Sequence, residues 1–339
     1  MVRALGWFWA SVIVVLGIGG GVLQVLGPPA APGRMAAAAA VVPKAEAPPP
    51  PPQAPDGGSG VPGRAVPVGW NGQVAAPDQA LIEDAPGDPA AKLPQVSVAG
   101  IAPMQAYARP FDRSDPRPRV AIAVAGIGLS EADSRRAIEP LPPGVDMAMS
   151  AYASNPDTLA GLAREHGHEL LLSLPMEPQG YPLNDEGPHA LLTGAPAAEN
   201  AKNLDWALAR FAGYAGVTNA SDGMLGERYT GMAEPFGTVA RELARRGLLF
   251  VDARVGSKAF AGVAGRSADL VLDDPPARAE IEARLANLER LAREQGSALA
   301  VAELPRPVVL EAIVSWARGL EARGLVLAPV SAVSHGGAP

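Results

Sequence analysis

An aspartate and an arginine stand two residues apart in Leu248-Leu-Phe-Val-Asp252-Ala-Arg254, directly after an apolar run. At a strand end such a pair can orient a hydroxylated ligand through charge-assisted hydrogen bonds. It can equally close on itself as an ion pair that stiffens the rim. Glu177, in Pro-Met-Glu-Pro, is a second candidate: an acceptor for hydroxyls, part of a general base, or a side chain that fixes its loop. Asp222, Glu303 and the pair Asp273-Asp274 also lie just past strand-like segments, and the pair precedes Pro275-Pro276, where it is placed to cap a helix. Asp222, Asp252, Glu303 and Glu177 would together form an all-oxygen metal set, suited to Mg or Ca rather than Zn. Two carboxylates without a metal would suit a hydrolase. The chain has no cysteine, which excludes disulfides, thiolate zinc sites and Cys nucleophiles.

The elements that must position these residues begin in earnest at Val120. VAIAVA (Val120–Ala125), VDMAMS (Val145–Ser150), ELLLSL (Glu169–Leu174), Gly216–Asn219, LLFVD (Leu248–Asp252), ADLVLD (Ala268–Asp273), SALAVA (Ser297–Ala302) and LVLAPV (Leu325–Val330) read as strands. Helices are predicted between them: one capped at Ser130, one from Asn155-Pro156 to Glu165, and others near 198–214, 236–246, 276–294 and 308–323. Strands apolar on both faces and alternating with helices predict an α/β fold with a parallel, helix-covered sheet. A closed or nearly closed (β/α) barrel is favoured over a doubly wound open sheet. In either, ligands sit at the carboxyl ends of the strands. His166 and His168 precede a strand and so belong to the opposite end; His189 lies in the long loop after the third strand, and His335 lies in the tail. No glycine-rich nucleotide loop follows any strand.

The first third differs in kind. Leu5–Gly27 is apolar and uncharged, long enough for the roughly 20 residues that a membrane-crossing helix needs. With Arg3 ahead of it and Trp7 and Trp9 near its start, residues 1–27 are expected to anchor the chain in the inner membrane as a single pass, its C-terminal domain in the periplasm. A cleaved signal peptide is the alternative. Residues 28–92 hold 15 prolines and the runs Pro48–Pro52 and Ala36–Ala40, the composition of a disordered spacer. Residues 93–335 are left as one domain. The net charge of −7, without basic blocks, argues against nucleic acid.

Taken together, LPQVSVAG (Leu93–Gly100), QAYARPFD (Gln105–Asp112), VAIAVAGIGLS, HGHELLLSLPMEP (His166–Pro178), GPHALLT (Gly187–Thr193), LLFVDARV (Leu248–Val255) and the closing LVLAPVSAV resemble the divergent polysaccharide deacetylase family, a branch of the NodB-like carbohydrate esterases. The resemblance implies a distorted (β/α) barrel of seven or eight strands. It implies a role in metabolism of a cell-envelope glycan, such as a peptidoglycan-type polysaccharide. Active relatives use a divalent metal, usually zinc on one Asp and two His, to remove acetyl groups. At the corresponding positions this chain departs from the pattern. Ala125-Gly126 stand where relatives carry Asp-Asp or Asp-Gly, Ser173 where many carry His, and Asn219-Ala220-Ser221-Asp222 where they carry Asn-His-Met-Gly. Glu303-Leu304-Pro305 stand where they carry Gly-His-Pro. No cofactor is therefore expected. Asp252, Arg254 and Glu177, which match the family, are carried over as ligand-binding or remnant residues, and Tyr152 and Tyr181 as rings for sugar faces. The expected protein is a degenerate deacetylase that binds a glycan or an envelope protein; an active metal-dependent deacetylase with a rearranged site is the alternative.

Overall fold

The computed structural model describes residues 64–67, 70–257 and 262–336. Its strands are β1 (Ile82–Ala85), β2 (Asp88–Pro94), β3 (Arg119–Ile127), β4 (Val145–Ser150), β5 (Leu170–Ser173), β6 (Gly216–Thr218), β7 (Leu249–Asp252), β8 (Gly265–Ser267), β9 (Leu270–Val271), β10 (Ser297–Ala302) and β11 (Val326–Leu327). All eight predicted strands appear; the sixth and eighth are reduced to the two-residue β9 and β11, Val330 at the expected end of the eighth starts a helix instead, and β8 ahead of β9 is new. The predicted helices also appear; the third runs Ala197–Leu208 and the last Pro307–Ala317, each stopping six residues short of its expected end. Ser130 caps its helix as expected, accepting from the Asp133 amide. Asn155 does not cap with its side chain; its amide donates to Glu131 instead.

The strands from β3 onward pair in parallel in the order β8-β7-β6-β5-β4-β3-β10-β9, with β11 on the first residues of β3. The two end strands are neighbours in the chain. Between them, the Ala268 amide donates to Asp252 O on β7 at 2.7 Å, and the Asp269 amide to Leu299 O on β10 at 2.8 Å. One segment thus reaches from one end of the ladder to the other, and the parallel sheet curls into a half-barrel with that segment across its open side. An open doubly wound sheet would keep these edges apart.

Side-chain alternation shows which way each strand faces. Val120, Ile122 and Val124 of β3 pack in one cluster with helix residues such as Ile138, Phe236 and Ile313. Ala121, Ala123 and Ala125 pack in another with Ala148, Leu171, Val251 and Val301 from other strands. The second cluster is the lumen. It is lined largely by alanine, and Val330 and Val333 of the C-terminal helix Val330–Val333 belong to it. Two buried carboxylates hold that helix in place: Asp146 accepts from the Val330 amide, and Glu169 from the Ser331 amide and hydroxyl.

The spacer predicted over 28–92 and the anchor predicted over 1–27 lie, up to residue 63, outside the described residues. From residue 79 the structure is more ordered than the composition suggests. A 3-10 turn at Gln79–Leu81 leads into the antiparallel hairpin β1–β2, with Leu81 and Leu93 buried. Buried Arg246 fastens the hairpin by donating to Glu83 and to the Pro94 carbonyl, both at 2.8 Å. Among the described residues no helix is long and apolar enough to cross a membrane.

Candidate functional site

The carboxyl ends of the strands gather most of the candidates, and hydrogen bonding sorts them. Asp252, at the end of β7, is 2 % exposed and accepts five bonds. Oδ1 takes Asn219 Nδ2, the Arg254 amide and Arg254 Nε, each at 3.0 Å. Oδ2 takes Arg254 Nη2 at 2.8 Å and the Ser257 hydroxyl at 2.6 Å. Asn219 completes the clamp by accepting from the Ala253 amide and donating to the Leu225 carbonyl. Of the two readings of Asp252 and Arg254, this geometry is the internal ion pair. The carboxylate's acceptor sites are filled.

Glu177 is likewise committed. Its Oε2 accepts from the amide and hydroxyl of Thr193 at 2.5 and 2.7 Å, and its Oε1 pairs with Arg228 Nε at 3.0 Å. Since Arg228 is 56 % exposed, the bonds to Thr193 carry most of the energy. Glu177→Ala is expected to cost about 2 kcal/mol by stranding the Thr193 donors, and Arg228→Ala less than about 0.5 kcal/mol. Urea unfolding of both variants checks the order; equal losses would return Glu177 to the ligand-binding candidates. Asp273 does not cap the following helix, whose N-cap is Ala277. It instead accepts from the Glu303 and Leu304 amides and from Arg306. Glu303, at the end of β10, has its carboxyl pushed up to about 7, by burial first and then by Asp273 and Asp274.

Of a second group, the sequence singled out Asp222 alone. Ser150 and Ser173 are register partners at the ends of β4 and β5, on the strand positions that follow the lumen residues Ala148 and Leu171. The Ser150 hydroxyl donates to Asp222 Oδ2 at 3.1 Å, and Asp222 holds a left-handed backbone, φ 52°. Beside it stands Glu186, 5 % exposed, from the long loop after β5. Neither oxygen of Glu186 has a hydrogen-bond partner, nor do Asp222 Oδ1, Ser173 Oγ and Ser221 Oγ. Burial, only partly offset by the neighbouring Ser221 hydroxyl, pushes Glu186 up to about 9, with Asp222 and Glu227 adding to the shift. Burial raises Asp222 as well, opposed by Ser150. No spacing in the sequence marks this group, because its members come from three strand ends and a remote loop.

The histidines stand apart from the site, with one refinement. His168 is fully buried, with both ring nitrogens on the carbonyls of Val145 and Ile138. His166 follows a helix at the same end. His335 pairs through its backbone with Gly265. His189 is not a free loop residue: its ring stacks on Trp206 at 3.8 Å, and its amide donates to the Tyr152 hydroxyl.

The sequence profile of divergent polysaccharide deacetylases matches residues 122–334, more than half of the chain. This chain belongs to that family. Among solved structures it is similar to an uncharacterized protein from Agrobacterium tumefaciens, at 37 % identity and a TM-score of 0.66, covering 72 % of this chain and 99 % of that one. A family 4 carbohydrate esterase from Streptomyces lividans in complex with acetate is more distant, at 14 % identity and a TM-score of 0.42, covering 66 % of this chain and 98 % of that one. No curated protein matches the chain.

The family resemblance implies a divalent metal, so the fit of a metal can be tested on the divergent polysaccharide deacetylase barrel itself. The resemblance puts Ala125-Gly126, Ser173 and Ala220 where relatives carry the Asp and His ligands, and of these side chains only Ser173 has a donor atom. A Cβ on Gly126 would lie 2.8 Å from Leu304 Cδ2 and 3.0 Å from Pro305 Cδ. Leu304 also flanks Gly223, 3.4 Å from where that residue's Cβ would be. Among the described residues no group of three or more His, Cys, Asp or Glu side chains assembles. The donor set does not fit the family's zinc.

Proposed function

We propose that this divergent polysaccharide deacetylase binds a cell-envelope glycan of the peptidoglycan type through the carboxyl-end face of its barrel, without removing acetyl groups. The observation that carries the reading is the replacement of the family's ligands by Ala125-Gly126, Ser173 and Ala220, with Leu304 and Pro305 packed where a side chain on Gly126 would go. Metal-assisted hydrolysis needs ligands that polarise the acyl oxygen and acidify a water. Here the carboxylates carried over from the family, Asp252 and Glu177, are spent on internal bonds. The family's polysaccharide substrates point to a sugar polymer as the ligand. Half-buried Tyr152, its ring centroid 5.2 Å from that of Trp206, supplies the aromatic surface beside the mouth, the indole itself being covered by His189 and Arg210. Residues 5–27 would hold the domain at the inner membrane on its periplasmic side, and an envelope protein is the other candidate occupant of the face.

Acetate release from N- and O-acetylated glycans by the full-length protein, with and without chelator, tests the loss of chemistry. The expected result is no release above the buffer blank, together with binding of glycan fragments that weakens in Tyr152→Ala. Chelator-sensitive release of acetate would instead establish an active deacetylase with a rearranged site.

A further inference from the structure

The mouth holds an unbalanced charge. Each arginine near it is engaged: Arg228 with Glu177, Arg254 with Asp252 and Arg306 with Asp273. The charges acting on Glu186 are those of Asp222 and Glu227, both negative. Glu186, buried, and Asp222, half-buried, thus lie together without a cation, and beside them Ser173 Oγ, in a residue 0 % exposed, has no partner, while the Ser221 hydroxyl neighbours Glu186. Folded proteins seldom leave such atoms unsatisfied, because each loses its water without replacement. Ser173 belongs to the lumen-facing set and lies in register with Ser150, whose hydroxyl touches Asp222. The unpartnered atoms therefore gather with Asp222 and Ser150 at the top of the barrel.

We propose that Glu186 and Asp222, with the hydroxyls of Ser150, Ser173 and Ser221, enclose a hard cation of the calcium or magnesium class that stabilises the barrel. Oxygen-only donors select such ions over zinc. The charge of two carboxylates matches a divalent ion. Four of the five side chains are buried and Asp222 is half-buried, which favours a structural rather than a catalytic ion. The site is also distinct from the all-oxygen set suggested by sequence, since Asp252 and Glu177 are saturated and only Asp222 is shared.

Calorimetric titration of the chelator-treated full-length protein with CaCl2, and separately with MgCl2, tests this directly. One ion per chain is expected, with a rise in melting temperature. Glu186→Gln and Asp222→Asn should each weaken binding by at least about tenfold, while Glu303→Gln, outside the shell, leaves it within about twofold. Glu186→Gln is isosteric and neutral, as the protonated carboxyl is, so it decides the matter if Asp222→Asn does not fold. No heat and no melting shift up to about 5 mM of either ion would overturn the site. So would an affinity indifferent to Glu186→Gln, and in either case the carboxyls are held by protons and water. Acetate release by the ion-loaded protein would overturn the structural role. A failure to bind glycan bears on the function proposed above and leaves this site standing.

Discussion

Asp252→Ala is expected to lower the stability of the barrel by about 3–5 kcal/mol, the range for removing one member of a buried ion pair. Five hydrogen bonds end on this carboxylate, and they tie β6, β7 and the segment after β7 into one unit. Alanine leaves the Arg254 guanidinium without its bidentate partner. It also leaves Asn219 Nδ2 with the Leu225 carbonyl alone. Asp252→Asn should cost less, because one side-chain oxygen still accepts, while its NH2 faces donors. Arg254→Ala should be milder than Asp252→Ala, since the carboxylate keeps Asn219, Ser257 and a backbone amide. Equilibrium unfolding in urea ranks the three. If Asp252→Ala unfolds at the wild-type midpoint but loses glycan binding, the pair is a ligand site and the internal reading is wrong. The same variant separates two ideas about the family residue, because a retained catalytic remnant would change function while leaving stability nearly intact.

That outcome bears on what a sequence can disclose. Val120–Ala125 announces a buried strand because six apolar residues in a row leave no solvated face, and the other strands were legible for the same reason. The β1–β2 hairpin was not, because a hairpin around Pro86-Gly87 and Pro89 shares its composition with the proline-rich stretch before it. What sets it apart is tertiary: Arg246, more than 150 residues away, holds the Pro94 carbonyl. Gly265–Ser267 was missed because its polar residues are only half-buried, and pairing to β7 rather than hydrophobic pattern makes it a strand. The site divides similarly. Asp252, Arg254 and Glu177 were found because they follow apolar runs, but their roles depend on Ser257, Asn219, Thr193 and Arg228, which no local pattern pairs with them. Asp273 was misread as a cap because local spacing favours the helix next to it, whereas its partners arrive from β10. Glu186 carried no signal at all. Its distinction is to be buried without a partner, and only a packed structure contains that fact.

Gly126→Asp, which would return a carboxylate to the family's ligand position, is expected to destabilise the barrel by about 2–4 kcal/mol and to confer no zinc binding. Gly126 has φ 74°, in the left-handed region that costs a residue with a side chain about 1–2 kcal/mol, aspartate suffering less than most. Its new Cβ would stand 2.8 Å from Leu304 Cδ2, 3.0 Å from Pro305 Cδ and 3.4 Å from Glu303 O. Leu304 can swing its terminal methyl aside, but the proline ring and the backbone oxygen cannot, and overpacking of this kind costs about 1–3 kcal/mol. A new carboxylate would also be packed against the segment that carries Glu303, whose own carboxyl is already pushed up to about 7. Gly126→Ala measures the backbone and steric part without charge. Adding Leu304→Ala to Gly126→Asp should recover part of the steric loss and none of the backbone term. The combination Gly126→Asp, Ser173→His and Ala220→His then asks whether losing zinc can be undone by restoring donors alone. Thermal unfolding and a zinc titration of the triple variant answer it. Wild-type stability together with tight zinc binding would mean the mouth had merely lost its ligands; the expected instability means the glycine, the leucine and the proline have repacked around their loss, so that three substitutions cannot reverse it.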